Sequence, residues 1–201
     1  MPDTLMPAGL PASPARRLLH TRSVVCQGFE RDDGLLDIEG RLTDVSALAA
    51  ELPFYILEAS ATLHDMRLTM TVDGALRIHR FHTSTDIGAT PFCAQVNQAY
   101  AGLEGLRITS GFRVALRERV GGVRGCTHLT EAVLAMANVA VQTLLAAGRE
   151  RRRLQPPAGQ AASEVNQWVM NSCHVYRAGG EGLDRSLPRQ RRGPVVDGAA
   201  G

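Results

Sequence analysis

The stretch "TLHDMRLTMTVDGALRIHRFH", Thr62–His82, decides the fold. Its part "MRLTMTV" puts Met66, Leu68, Met70 and Val72 on one face and Arg67, Thr69 and Thr71 on the other. A period of two is the mark of a half-buried antiparallel strand. Asp73-Gly74 is a hairpin turn signal, and "ALRIHRFH" reads as the returning strand. The same grammar recurs towards the N-terminus. "HTRSVVCQGF" (20–29) is rich in β-formers, Asp33-Gly34 is a tight turn, and "LLDIEGRLTDV" alternates again. Leu36, Ile38 and Leu42 share one face of that strand, with Asp37, Glu39, Arg41 and Thr43 on the other. Four antiparallel strands in two hairpins are therefore expected. "VSALAAEL", before Pro53, leaves a short helix open.

After Gly88 the period changes. Residues 92–103 read as a helix, and a shorter helix covers 112–120 and stops at Gly121-Gly122. A long one starts near Thr127, with Leu129, Val133, Met136, Ala140 and Leu144 as its apolar stripe. Arg149 and Arg151 to Arg153 suit the negative end of its dipole. "LQPPAGQAAS" (154–163) reads as a linker, and 164–176 as a last short helix or docking segment. Strands first and helices second make the fold class α+β.

A chain of 201 residues is expected to form a single domain, here 18–177, with disordered tails over 1–17 and 178–201. Four cysteines without a CxxC (Cys26, Cys93, Cys126, Cys173) read as reduced and the protein as cytoplasmic. No apolar run looks long and unbroken enough to span a bilayer, so no membrane partner is expected. A net charge of +2, with the Arg runs confined to a helix end and a tail, argues against nucleic acid. All 22 basic residues are Arg. The absence of Lys excludes a Schiff-base lysine and a P-loop phosphate lysine.

The chemistry gathers in three places. In "GCTHLTE" (125–131), Cys126 stands just before a helix N-terminus, where unpaired N–H groups favour a thiolate or a bound anion. Thr127 serves most simply as an N-cap. His128 and Glu131 are three apart on one helix face, a spacing that holds metals in helix bundles and also suits a first turn. In "TLHDM" (62–66), the strand period turns His64 towards the core side with Met66, beside Asp65. In "FHTSTDIGAT" (81–90), Asp86 is the residue of interest. Arg22 and Arg31 crowd the first hairpin, where an Arg can hold a substrate carboxylate in two hydrogen bonds. Cys173-His174 reads as packing, or as a segment that closes the site.

Two resemblances bear on these motifs. "HTR", "RDDGLLDIEG", "LHDMRLTMTVD" and "GCTHLTE" together resemble an uncharacterised bacterial domain family, mostly proteobacterial, over about residues 20–177. That resemblance implies relatives among lyases that release formaldehyde from lignin-derived aromatics. The stretch 62–147 is similar to the NifU/IscU iron–sulfur scaffold proteins, which implies a sheet with helices packed on one face. It also implies that the loop before the first strand, the loop after the second and the start of the long helix converge. The scaffold's three cysteines fall near Thr62, at Asp86 and at Cys126, and its aspartate near His64. Two of the three thiols are thus missing, which argues against cluster assembly. What the resemblance leaves is His64, Asp86, Cys126 and His128 meeting in one pocket.

Three functions follow as expectations. The first is a lyase that cleaves a C–C bond of a small, aromatic substrate by acid–base chemistry, without an imine or cofactor. His64, Asp65, Asp86, Cys126 and His128 would be its catalytic groups, with Arg22, Arg31 and Thr127 binding substrate. The second is a Zn- or Fe-dependent hydrolase or lyase, with His64, His128 and Glu131 as ligands. The third is a non-catalytic binding or scaffold protein. Exposed sheet edges leave room for a homodimer.

Overall fold

A computed structural model describes residues 15–155, 170–171 and 173–186. The chain divides into two compact units, 1–147 and 148–201. The first holds a four-stranded antiparallel sheet with helices, so the α+β class is as expected. Its strands are β1 (His20–Glu30), β2 (Leu36–Ser46), β5 (Thr62–Val72) and β6 (Ile78–Ile87), in the order β1-β2-β5-β6. Between them, β3 (Ala50–Glu51) and β4 (Ile56–Leu57) form a small ribbon. This corrects the short helix left open over "VSALAAEL". Pro53 falls in the turn of that ribbon, which the Leu52 N–H closes onto the Tyr55 carbonyl.

Both predicted hairpins form. Gly34 takes the left-handed conformation at φ 82°, as its turn requires. At the second turn Asp73 Oδ1 accepts the N–H groups of Ala75 and Arg77, and the left-handed residue is Leu76 (φ 57°), not Gly74. Leu76 is fully buried, and its core contacts offset that backbone strain.

The inward-facing set is the one read from the strand period. Leu36, Ile38 and Leu42 of β2 and Met66, Leu68, Met70 and Val72 of β5 are buried. Each such side chain contributes about 1.5–3 kcal/mol. Over them lie a run of 3-10 turns (Cys93–Leu103), α1 (Phe112–Val120) and α2 (Thr127–Leu154). Two glycines let α2 lie close to the sheet. A Cβ on Gly28 would fall 1.8 Å from Thr143 Oγ1, and one on Gly40 2.8 Å from Met136 Sδ. At 28 residues α2 is long and apolar enough to cross a membrane by length and composition, which corrects the reading that no run is. One of its stripes, including Leu129, Val133, Met136 and Ala140, is instead built into the core.

In the second unit, α3 (Glu181–Ser186) is described within the stretch read as a C-terminal tail, and residues 173–178 are bends and turns. Most of the helix expected over 164–176, most of the linker and the rest of both tails lie outside the described residues.

Candidate functional site

β1 begins, β2 ends and β5 begins at one end of the sheet, and α2 starts over that end. Register pairs Arg22 with Asp44 and Asp44 with His64. All three side chains therefore stand on the helix-covered face, where α2 supplies His128.

Asp44 is the centre. Its side chain is fully buried, and four hydrogen bonds converge on its two oxygens. Oδ1 accepts from His20 Nε2 (2.9 Å) and Arg22 Nε (2.8 Å), and Oδ2 from Arg22 Nη2 (2.9 Å) and His64 Nδ1 (2.9 Å). His128 Nε2 lies 3.8 Å from the same Oδ2, and the His64 and His128 rings stack with centroids 4.1 Å apart. Arg22 Nη1 reaches on to Glu131 Oε2 at 2.9 Å, tying β1 to α2.

Burial is the largest influence on Asp44 and pushes its carboxyl up. The hydrogen bonds from Arg22 and His20 outweigh it, and the pKa falls from 3.8 to about 2. Asp44 is thus a carboxylate that only accepts, so His64 Nδ1 must donate and the ring's basic lone pair lies on Nε2. Burial pushes His64 below the ordinary imidazole value of 6.5, against the pull of Asp44. His128 is lowered too, by burial first and then by the charge that His64 and Arg22 place beside it. Near neutral pH the site therefore holds two neutral imidazoles against one buried anion.

The start of α2 is set by Tyr100. Its buried hydroxyl receives the Cys126 N–H (3.0 Å), donates to the Cys126 carbonyl (2.8 Å) and meets Thr130 Oγ1 (2.9 Å). The first helical bond, Thr130 N–H to Cys126 O, makes Cys126 the N-cap, so Thr127 is an exposed first-turn residue and not the cap. A Cβ on Gly125 would lie 2.3 Å from the Val120 carbonyl oxygen, so only glycine fits before Cys126.

Of the residues singled out by sequence, the fold brings His64, His128, Cys126, Arg22 and Glu131 together. Cys126 Sγ lies 3.6 Å from His128 Nδ1. Asp86 and Asp65 point to the opposite face of the sheet. Asp86 pairs with Arg67 (2.8 Å) and Asp65 with Arg41 (2.6 Å), because neighbours on a strand alternate sides. Arg31 closes the β1–β2 turn on Asp33 (2.6 Å), at the far end of the sheet. Cys93 lies across the sheet near Thr90 and Gly88, and His174 contacts Arg177 in the second unit. The sequence reading passed over Asp44, His20 and Tyr100. Asp44 carried a signal: it has the parity of Leu36, Ile38 and Leu42, hence an inward carboxylate.

An open cleft of about 490 Å³ lies at the same end of the sheet, lined among others by Phe54, Tyr55, Thr62, Ile87 and Cys93. Phe54 packs edge-on against Phe92, with ring centroids 5.5 Å apart.

A family described as Protein of unknown function (DUF2889) matches residues 20–142, more than half of the chain. The chain belongs to this family. The matched region of the DUF2889 domain runs from His20 through Asp44, His64, His128 and Glu131, so every member of the cluster lies inside it. No curated protein and no solved structure matches the chain.

Proposed function

We propose that the protein is a small-molecule lyase that cleaves a C–C bond by acid–base chemistry, releasing an aldehyde such as formaldehyde from an aromatic substrate. The observation that carries this reading is the stack of two neutral imidazoles on a buried carboxylate. Asp44 orients His64, and His128, whose side chain is 25% exposed, meets solvent as the proton acceptor. The substrate's hydroxyl proton goes to the imidazole, its oxygen closes to a carbonyl, and the C–C bond breaks. The released electron pair forms a C=C bond conjugated with the aryl ring as the substrate's second hydroxyl, on the neighbouring carbon, leaves as water with the proton held by the imidazolium, so no lysine imine is needed. Three of the five Arg22 N–H donors are engaged by Asp44 and Glu131; the remaining two suit a developing oxyanion.

The test is formaldehyde release by the purified full chain from aryl-substituted propanediols bearing a terminal CH2OH. His64→Ala and His128→Ala, checked for folding, should each lose about 100-fold or more. No product with any such diol, or full rate in both variants, overturns the reading.

A metal-dependent hydrolase or lyase has one observation in its favour. Asp44, His64 and His128 each offer a ligand atom, all within 4.8 Å of one another. Tetrahedral Zn ligands stand about 3.4 Å apart, and the 2.9 and 3.8 Å separations around Asp44 Oδ2 straddle that value. Against it, the Arg22 guanidinium already holds both Asp44 oxygens, which sets a fixed positive charge beside the cation. Glu131, expected as a ligand, is turned to Arg22. Stoichiometric metal in tag-free protein, with activity lost to a chelator and restored by Zn or Fe, would make this the better reading.

A further inference from the structure

The two edges of the sheet are treated differently. The β6 edge is closed by the chain itself. The Ile78 N–H bonds the Leu106 carbonyl, the Gly105 N–H returns to Ile78, and the Phe81 N–H meets Glu104 Oε1. Thr83 and Thr85 bond Asn97 above them. The β1 edge has no such cover among the described residues. All eleven residues of β1 pair in register with β2, and every one but Cys26 is exposed. Its middle, "SVVCQGF" (23–29), is rich in β-formers and carries no charge, proline or lysine. Natural edges are guarded by such residues, and an unguarded one templates strand pairing. Val24 is 40% exposed, Val25 59% and Phe29 45%. Beside this edge runs α2, which touches β1 at Gly28, and only 33% of its most apolar stretch is buried.

We propose that β1 is the interface of a homodimer, in which two copies pair antiparallel about a two-fold axis through Val25. The strand is self-complementary about that point. Val24 faces Cys26, Ser23 faces Gln27, Arg22 faces Gly28 and His20 faces Glu30, so all eleven residues pair in register. Directly opposed residues of an antiparallel pair point to the same side. The two α2 helices therefore lie on one face of an eight-stranded sheet and bring their apolar flanks together. The partner this surface fits is a second copy of the chain.

Sedimentation of the full chain at tens of micromolar should give twice the 21.6 kDa chain mass. Val25→Glu and Val25→Lys each place like charges opposite themselves at the axis, and each variant alone should run as a monomer. Mixed in equal amounts they should pair again. Hydrogen exchange of the wild-type β1 amides should slow as concentration rises. A wild-type monomer, a Val25→Glu dimer or a failed mixture overturns the proposal. So does β1 protection that is independent of concentration, which would mean that a segment of the same chain covers the edge.

Discussion

His64 Nδ1 stands 2.9 Å from Asp44 Oδ2, on adjacent strands and buried among apolar side chains. Neither residue would be ionised cheaply there alone. The pair persists because Arg22 and His20 satisfy the other lone pairs of the carboxylate. The arrangement is a polar cluster whose members depend on one another, and each can be removed by a conservative change.

Asp44→Asn keeps the shape and removes the charge. It leaves Arg22 without its anion and forces an amide N–H towards a donor. Unfolding in urea should show a loss of about 2–3 kcal/mol; a fully buried pair would cost more, but Arg22 and His20 keep access to water. A loss under about 0.5 kcal/mol would mean that Asp44 does not organise the site.

Stability should depend on pH below the ordinary imidazole value. His64 and His128 both have pKa values lowered from 6.5, so the unfolded chain binds protons that the folded one resists. Their contribution is complete above pH 6.5 and declines as pH falls through the folded values. Asp44, lowered from 3.8 to about 2, adds stability that is complete above pH 3.8 and is lost as pH falls through about 2. Thermal melts should therefore show a first fall beginning below pH 6.5, absent in the His64→Gln/His128→Gln double variant. The acid limb of any activity profile should likewise lie below 6.5.

Tyr100→Phe removes the hydroxyl that meets the Cys126 N–H, the Cys126 carbonyl and Thr130. One buried donor and one acceptor lose their partner where α2 begins. A cost of about 1–3 kcal/mol is expected in denaturant. His128 sits two residues later, so activity should fall further than the fraction unfolded explains. Equal losses would reduce Tyr100 to a purely stabilising role.

Gly28→Ala and Gly40→Ala should differ although both glycines face α2. At Gly28 the new methyl meets Thr143 Oγ1 at 1.8 Å and Thr143 Cβ at 2.8 Å, a stiff β-branched side chain. At Gly40 it meets the flexible Met136, with Sδ at 2.8 Å. Differential melting should show about 1–3 kcal/mol lost at Gly28 and under about 1 kcal/mol at Gly40. The reverse order would mean that α2 does not press on β1 as described.

The strands, the two hairpins and the long helix were legible because each is written in local periodicity. The same parity that set Met66 inward set His64 inward, and applied one step past Leu42 it also points to Asp44. Asp86 was read wrongly as a neighbour of His64. A loop can be located from sequence, but the face onto which its last side chain turns depends on the bulge beside Met66 in the β5–β6 ladder. The β3–β4 ribbon was missed because two-residue strands have no period to read.

Sequence by itself therefore determined the α+β class, the inward sets of β2 and β5, and the Cys126–His128 start of α2. Only the tertiary structure decided that Asp44, not Asp86, is the carboxylate between the histidines, and that Arg22 spans from β1 to Glu131 on α2. The physical reason is range. Periodicity acts over neighbouring residues, whereas the pairings of Arg22 with Asp44 and of Asp44 with His64 are set by sheet register. Register is settled only when the whole apolar face is buried at once.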